Sequence, residues 1–157
     1  MPDIVYTLAT PEHISILVDF RIQFLMELEG AQSQEMQAAL ARELEIFYHS
    51  HLNKNYFCWF ATSANEVTGI GAMTIRTHPG NFRNLRGEKA YIMNMYTVPA
   101  FRGKGICKNI LNRLQQTAEE RGIHSFELHA TPAGEPVYVK NGFELHNEPT
   151  YRKWNVL

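Results

Sequence analysis

The sequence predicts an α/β fold, one mixed sheet flanked by helices in the order βααβββαβαββ. Three observations lead there. Runs rich in β-branched and aromatic residues alternate with stretches whose apolar residues recur at helical spacing. A strand-to-helix turn, Val98-Pro99-Ala100-Phe101-Arg102-Gly103-Lys104-Gly105-Ile106-Cys107, joins an apolar run to the clearest amphipathic stretch of the chain. A length of 157 residues, with 45% apolar and 20% charged content, suits a single domain over residues 1–157. No repeat, low-complexity tract or linker divides it.

Each element has its own signal. Asp3 to Leu8 alternates weakly and reads as a first strand. Thr10-Pro11 then supplies an N-cap with proline at the first helical position, and Ile14, Leu17, Val18, Leu25 and Leu28 keep helical spacing up to the stop at Gly30. A second helix is expected from about Ser33, with Met36, Leu40, Leu44 and Phe47 on one face. Tyr56 to Thr62 and Val67 to Arg76, separated by Ser63-Ala64-Asn65-Glu66, suggest a hairpin. His78 to Lys89 holds Pro79, Gly80, Asn81, Asn84 and Gly87 and reads as a loop. Ala90 to Val98 is a further strand.

The helix from about Gly105 to Arg121 places Cys107, Ile110, Leu111, Leu114 and Ala118 on an apolar face, with Lys108, Asn112, Gln115 and Glu119 away from it; Gly122 caps it. Ser125 to His129 reads as a strand and Glu135 to Asn141 as a short helix stopped by Gly142. Phe143 to Leu145 and Tyr151 to Val156 read as two last strands.

Composition narrows the classes of function. A net charge of −1 gives no global attraction to nucleic acid or a membrane surface, so neither is expected as a partner. No apolar run approaches the roughly 20 residues of a membrane span. Met1-Pro2-Asp3-Ile4-Val5 lacks a basic segment followed by an apolar one, and a cytoplasmic protein is expected. Cys58 and Cys107 lie far apart, in apolar or helical contexts, which favours buried free thiols over a disulfide. His49 and His51 are too isolated to suggest a metal, and none is expected.

The turn at 98–107 carries the chemistry. Gly103 and Gly105 let backbone N–H groups approach a ligand closely, and the helix start adds unpaired donors and the positive end of the helix dipole. With Arg102 and Lys104 beside them, an anion is expected there, a phosphate or pyrophosphate. The spacing is not that of a Walker A loop, and the dinucleotide fingerprint is not completed.

Arg102-Gly103-Lys104-Gly105-Ile106-Cys107 resembles the R/Q-x-x-G-x-G/A signature of GCN5-related N-acetyltransferases, the GNAT superfamily. Val137-Tyr138-Val139-Lys140-Asn141-Gly142-Phe143 is similar to that family's Leu-Tyr-Glu-Lys-Leu-Gly-Phe segment. The two lie at the expected separation. The strong resemblance spans residues 90–145, while the amino-terminal half agrees in layout. Two positions depart from the pattern. Cys107 stands where Gly or Ala is usual, so its side chain either packs into the core or loosens the ligand's contact. The asparagine customary after the following strand is missing from Thr131-Pro132-Ala133-Gly134.

The resemblance implies a GNAT-like, mostly antiparallel central sheet, with acetyl-CoA as donor and an amine as acceptor. Its pyrophosphate would be held by backbone N–H groups from Gly103 through Lys104, Gly105, Ile106 and Cys107 to Lys108, with charge from Arg102 and Lys104. Strand residues Met95, Tyr96, Thr97 and Val98 would pair with the pantetheine arm, and an N–H near Met95 or Tyr96 would polarise the thioester carbonyl. Tyr138 corresponds to the family's tyrosine acid, which would protonate the coenzyme A sulfur; the other reading is a ring that only packs.

No general base stands out. The strand position where many members carry a carboxylate holds neutral residues such as Asn94. Glu27, Glu29 and Glu35 flank the loop that in this family lines the acceptor site, so they either attract a cationic amine or are solvated helix ends. His129 is a further candidate base. Arg83, Arg86 and Lys89 in the second loop would suit an acceptor bearing a carboxylate. A homodimer is compatible with the family. The missing base keeps a second function open, a non-catalytic acyl-CoA-binding sensor or regulatory domain, and an unrelated nucleotide-binding protein is a third.

Overall fold

Alternation along the strands decides which way each faces. In β2 (Tyr56–Ser63), Tyr56, Cys58 and Phe60 point to one side of the sheet, while Phe57, Trp59 and Ala61 point to the other. The computed structural model describes residues 3–156. Its single sheet has the order β1-β2-β3-β4-β5, formed by β1 (Ile4–Leu8), β2, β3 (Glu66–Thr77), β4 (Glu88–Thr97) and β5 (Phe126–Leu128). Neighbours are antiparallel except β4 and β5, which are parallel and joined through α3 (Ile106–Glu119). On one face lie α1 (Ile14–Glu29) and α2 (Gln34–His51), packed on Tyr56, Cys58, Phe60, Ile70 and Tyr96. On the other, α3 buries Ile106, Ile110, Leu111, Leu114 and Ala118 against Phe57, Met73 and Ile92. α4 (Glu135–Lys140) adds Tyr138 to that second core.

Two irregularities shape the middle of the sheet. Opposite Gly71, β4 carries an extra residue: Ala72 pairs with Met93, but Ile70 pairs with Tyr96. Asn94 sits in this bulge with φ +56°, a conformation asparagine tolerates better than most residues. Gly71 is required there, since a Cβ would run into Met95 Sδ and come within 2.6 Å of Ile110. The second irregularity is the short parallel seam. β5 pairs only with Ala90, Tyr91 and Ile92, so Met93 to Thr97 of β4 have no strand on that side.

Several expectations need correction. The two last strands do not form: residues 143–156 have no regular structure, and five strands make the sheet. Pro11–His13 is a separate 3-10 turn ahead of α1, its start fixed by Thr10 N–H donating to His13 Nδ1 at 3.0 Å. Met36 is exposed, while the rest of its expected face, Leu40, Leu44 and Phe47, is half-buried beside the buried Tyr48. In α3 the fully buried position at the helix start belongs to Ile106, and Cys107 is only half-buried. Glu88 and Lys89 already belong to β4. Ser33 does cap α2, accepting from Met36 N–H, and Cys58 is a buried free thiol. Met1 and Pro2, on which the leader reading partly rests, lie outside the described residues. None of the described helices is long and apolar enough to cross a membrane.

Candidate active site

Where β4 and β5 part, a cavity of about 740 Å³ opens between the bulged end of β4, the start of α3, α4 and the end of α1. That size fits a small-molecule site. Its floor is the β4 segment Ile92 to Thr97.

The turn before α3 forms one wall. Gly103 and Gly105 have φ +76° and +78°, and nothing lies within 4 Å of a Cβ built on Gly103. Among the described residues the N–H groups of Gly103 to Lys108 donate to no acceptor, the first helical bond being Asn109 N–H to Gly105 O at 3.0 Å. An unhindered row of donors at a helix start is a fit for a pyrophosphate. Gly103, Gly105, Ile106, Cys107 and Lys108 line the cavity, as do Met95, Tyr96 and Thr97; Val98 packs instead beside the α1–α2 core.

The two cations expected beside this wall are differently placed. Lys104 Nζ stands 4.8 Å from the centre of the Phe101 ring. Arg102 is turned toward α1: its Nε donates to Thr97 O at 2.8 Å and its Nη2 to Glu27 at 3.1 Å, and the guanidinium is 5.6 Å from the Tyr96 ring centre. Hydrogen bonds from Arg102 and Tyr96 hold the Glu27 carboxyl below its usual range. Burial and the Glu27 carboxylate push the Tyr96 phenol upward. Glu27 therefore faces the cavity as part of an ion pair, whereas Glu29 and Glu35 are solvated and stand off it.

Tyr138 reaches the cavity from the opposite side. It is 9% exposed, its ring 6.0 Å from that of Phe143, and its hydroxyl makes no hydrogen bond to the described residues. Burial pushes its pKa up to about 12, with the Cys107 thiol beside it acting in the same direction. The Cys107 thiol is itself raised by burial. Tyr138 thus keeps its proton at ordinary pH, which suits it to act as an acid rather than a base.

Asn94 is 4% exposed, and neither Oδ1 nor Nδ2 finds a partner, an uncommon and costly state for a buried amide. It lines the same cavity. His129 and Thr131 also reach the lining; the His129 ring lies 5.7 Å from Tyr91. The basic residues of the second loop are elsewhere: Arg86 pairs with Glu88, Lys89 with Glu127 at 2.9 Å, and Arg83 is exposed. Among the described residues no group of three or more His, Cys, Asp and Glu side chains comes together to hold a metal ion.

The sequence reading missed part of the lining. Phe24 and Leu28 on α1, with Phe101, form the apolar side of the cavity near Glu27. Leu28 is 56% exposed, which the helical spacing alone assigned to the core. An apolar helix end without a buried partner was the available signal.

A family model described as an acetyltransferase (GNAT) domain matches residues 25–157. Among solved structures, a "predicted acetyltransferase" from Clostridium acetobutylicum, determined with acetyl-CoA, is 34% identical over 96% of both chains, with a TM-score of 0.86. A GCN5-related N-acetyltransferase from Ralstonia eutropha JMP134 is 20% identical, covering 96% of this chain and 99% of its own, at TM-score 0.79. The aminoglycoside acetyltransferase AAC(6')-Iy, in complex with a CoA-linked bisubstrate analogue, shares the fold at 16% identity and TM-score 0.72, over 98% and 99% of the two chains. A search of curated proteins found no match.

Proposed function

Because the chain belongs to the GNAT acetyltransferase family, we propose that it transfers an acetyl group from acetyl-CoA to a primary amine, on a small molecule or a peptide, by direct attack on the thioester. The observation that carries this reading is the convergence on one cavity of an unengaged row of N–H donors, Gly103 to Lys108, and an unpartnered phenol, Tyr138.

The donor supplies an activated acetyl thioester. In this reading the Gly103–Lys108 donors take its pyrophosphate, aided by Lys104 and by Arg102 once it leaves Glu27. The free side of Met95 to Thr97 takes the pantetheine arm as an added strand. A β4 N–H at Met95 or Tyr96, next to the bulge, stabilises the charge that develops on the thioester oxygen. Tyr138 gives its proton to the departing sulfur.

On the acceptor side, Glu27 is the anionic group facing the cavity from α1, and it attracts a cationic amine. Asn94 offers one acceptor and two donors close to the reacting carbons. Glu29 has no part in this account, since it stands outside the lining. A water between the amine and Glu27 or His129 relays to that side chain the proton that the amine must lose before attack.

A release assay for coenzyme A thiol across a panel of amines tests the proposal. Tyr138→Phe lowers kcat by roughly a hundredfold or more while coenzyme A affinity is unchanged; unaltered turnover at saturating substrate removes Tyr138 from the chemistry. A second reading is favoured by one observation: β4 brings no carboxylate into the cavity, and Glu27 is tied to Arg102. Tight coenzyme A binding with no turnover on any amine makes the protein an acyl-CoA sensor instead.

A further inference from the structure

One face of the sheet is only partly roofed by helices. α1 and α2 cover it as far as Ala72 on β3 and Met93 on β4, which pack into their core. Further along both strands the same face presents Thr74 and Arg76 from β3, and Tyr91 and Lys89 from β4. β5 adds Glu127, in register with Tyr91, while Phe126 and Leu128 turn to the opposite core. None of these side chains on the open face is fully buried. Together they form a polar shelf.

The shelf is built around one uncompensated cation. The Arg76 guanidinium lies 3.9 Å from the centre of the Tyr91 ring, and the His129 ring meets the same tyrosine at 5.7 Å. Lys89 is neutralised by Glu127 at 2.9 Å. That hydrogen bond, helped by the charges of His129 and Arg76, holds the Glu127 carboxyl below its usual range. Arg76 itself has no ion pair among the described residues. A guanidinium held over an aromatic ring without an acidic partner suits a carboxylate from outside the chain.

The shelf runs into the cavity, since Met93 and His129 belong to the lining. Asn94 stands at most about 10 Å beyond Tyr91 along β4, at the rise of a strand. We propose that the acceptor carries a carboxylate as well as its amine, roughly 7–10 Å apart, and that Arg76 over Tyr91 binds this carboxylate while the amine reaches the thioester beside Asn94. The proposal rests on the acetyl-transfer reading and narrows its acceptor to amines of that length with a free carboxyl end, either ω-amino acids or short peptides. Arg76 and Tyr91 select the acceptor and take no part in the bond changes. The C–N bond forms as the C–S bond breaks, the amine's proton leaves through the water relay, and the sulfur takes that of Tyr138.

Coenzyme A release with matched acceptors tests this. 6-Aminohexanoate against 6-aminohexanamide represents the ω-amino acids, and triglycine against triglycinamide the peptides. In at least one pair the wild-type protein favours the carboxylate by about thirtyfold in kcat/KM, mostly through KM, and the favoured pair identifies the source. Arg76→Gln brings that ratio close to one, and Arg76→Lys, which keeps the charge without the fork, retains part of it. Each ratio is taken within one variant, so a general loss of activity cancels. Ratios near one in both pairs, or a ratio that survives Arg76→Gln, overturn the proposal and leave acetyl transfer standing. If no amine is acetylated the transfer reading falls, and calorimetric titration of the same compounds into the coenzyme A-loaded protein decides the shelf. Binding of a carboxylate but not of its amide, abolished by Arg76→Gln, upholds it; equal or absent binding overturns it.

Discussion

The phenol of Tyr138 and the amide of Asn94 show how much of the candidate chemistry depends on single atoms without partners. Burial holds the Tyr138 pKa at about 12, so the acid stays loaded across the working range. The pH profile of transfer then follows the amine acceptor, rising as that group loses its proton. No alkaline loss assignable to Tyr138 is expected below about pH 11, measurable as kcat on a single amine. At Asn94 two requirements are superimposed, a φ of +56° and an unpartnered buried amide. They separate by substitution. Asn94→Gly keeps the backbone and removes the amide, so stability holds or rises while transfer slows. Asn94→Ala adds the left-handed strain and is less stable than the glycine variant by about 1 kcal/mol in chemical denaturation. Tyr138 is legible in the sequence as a candidate acid because it stands in a recognisable local segment, and the structure puts it on the cavity lining. It could not show the Arg102–Glu27 pair, whose members are 75 residues apart, nor the backbone angle of Asn94, which comes from a mismatch with Gly71 on another strand.

The elements were read best where their signal is local. Gly30, Ser33 and Gly122 mark helix ends through their own backbone and side-chain chemistry: the structure caps α1 at Gly30 and α2 at Ser33, and closes α3 at Glu119 with Gly122 N–H donating back to Glu119 O. Strands are different, because a strand exists only with a neighbour. Residues 143–145 and 151–156 have β-forming composition but no partner within the described chain, so they are not strands. The start of α3 is the element on which the proposed donor binding rests. Gly105, at φ +78°, serves as its N-cap and leaves the following N–H groups open. A Cβ there has room, its nearest contact being Asn109 Nδ2 at 3.7 Å, so the penalty for Gly105→Ala is conformational. About 1 kcal/mol of stability is lost. Coenzyme A affinity falls with it if the turn relaxes toward an ordinary helix start, which calorimetric titration measures.

For the whole molecule, the buried hydroxyls and thiols set an alkaline limit. Burial raises Tyr48 and Tyr138 to about 12, and Tyr56 and Cys58 well above their ordinary values. Below pH 9 these groups are neutral whether the chain is folded or not, and stability is independent of them. Above their ordinary pKa values, 9 for the thiol and 10 for the phenols, the unfolded chain ionises first and the folded state loses ground. Each group costs about 1.4 kcal/mol per pH unit until its folded pKa is reached. Thermal unfolding temperature should therefore be flat from pH 7 to about 9 and decline steeply toward 12. Replacing Tyr56 by Phe softens the decline.

The parting of β4 from β5 after Ile92 has a consequence for motion. Within the sheet, the backbone of Met93 to Thr97 is bonded on one side only, so this central strand behaves there like an outer one until a ligand lies against it. Amide deuterium exchange should report it. The β4 amides that face the gap exchange quickly in the free protein, slow markedly with coenzyme A, and slow less with a fragment lacking the pantetheine arm. On the proposed function the donor molecule would act as a removable rung of the sheet, and each turnover would include a cycle of local stiffening and release at the centre of the fold.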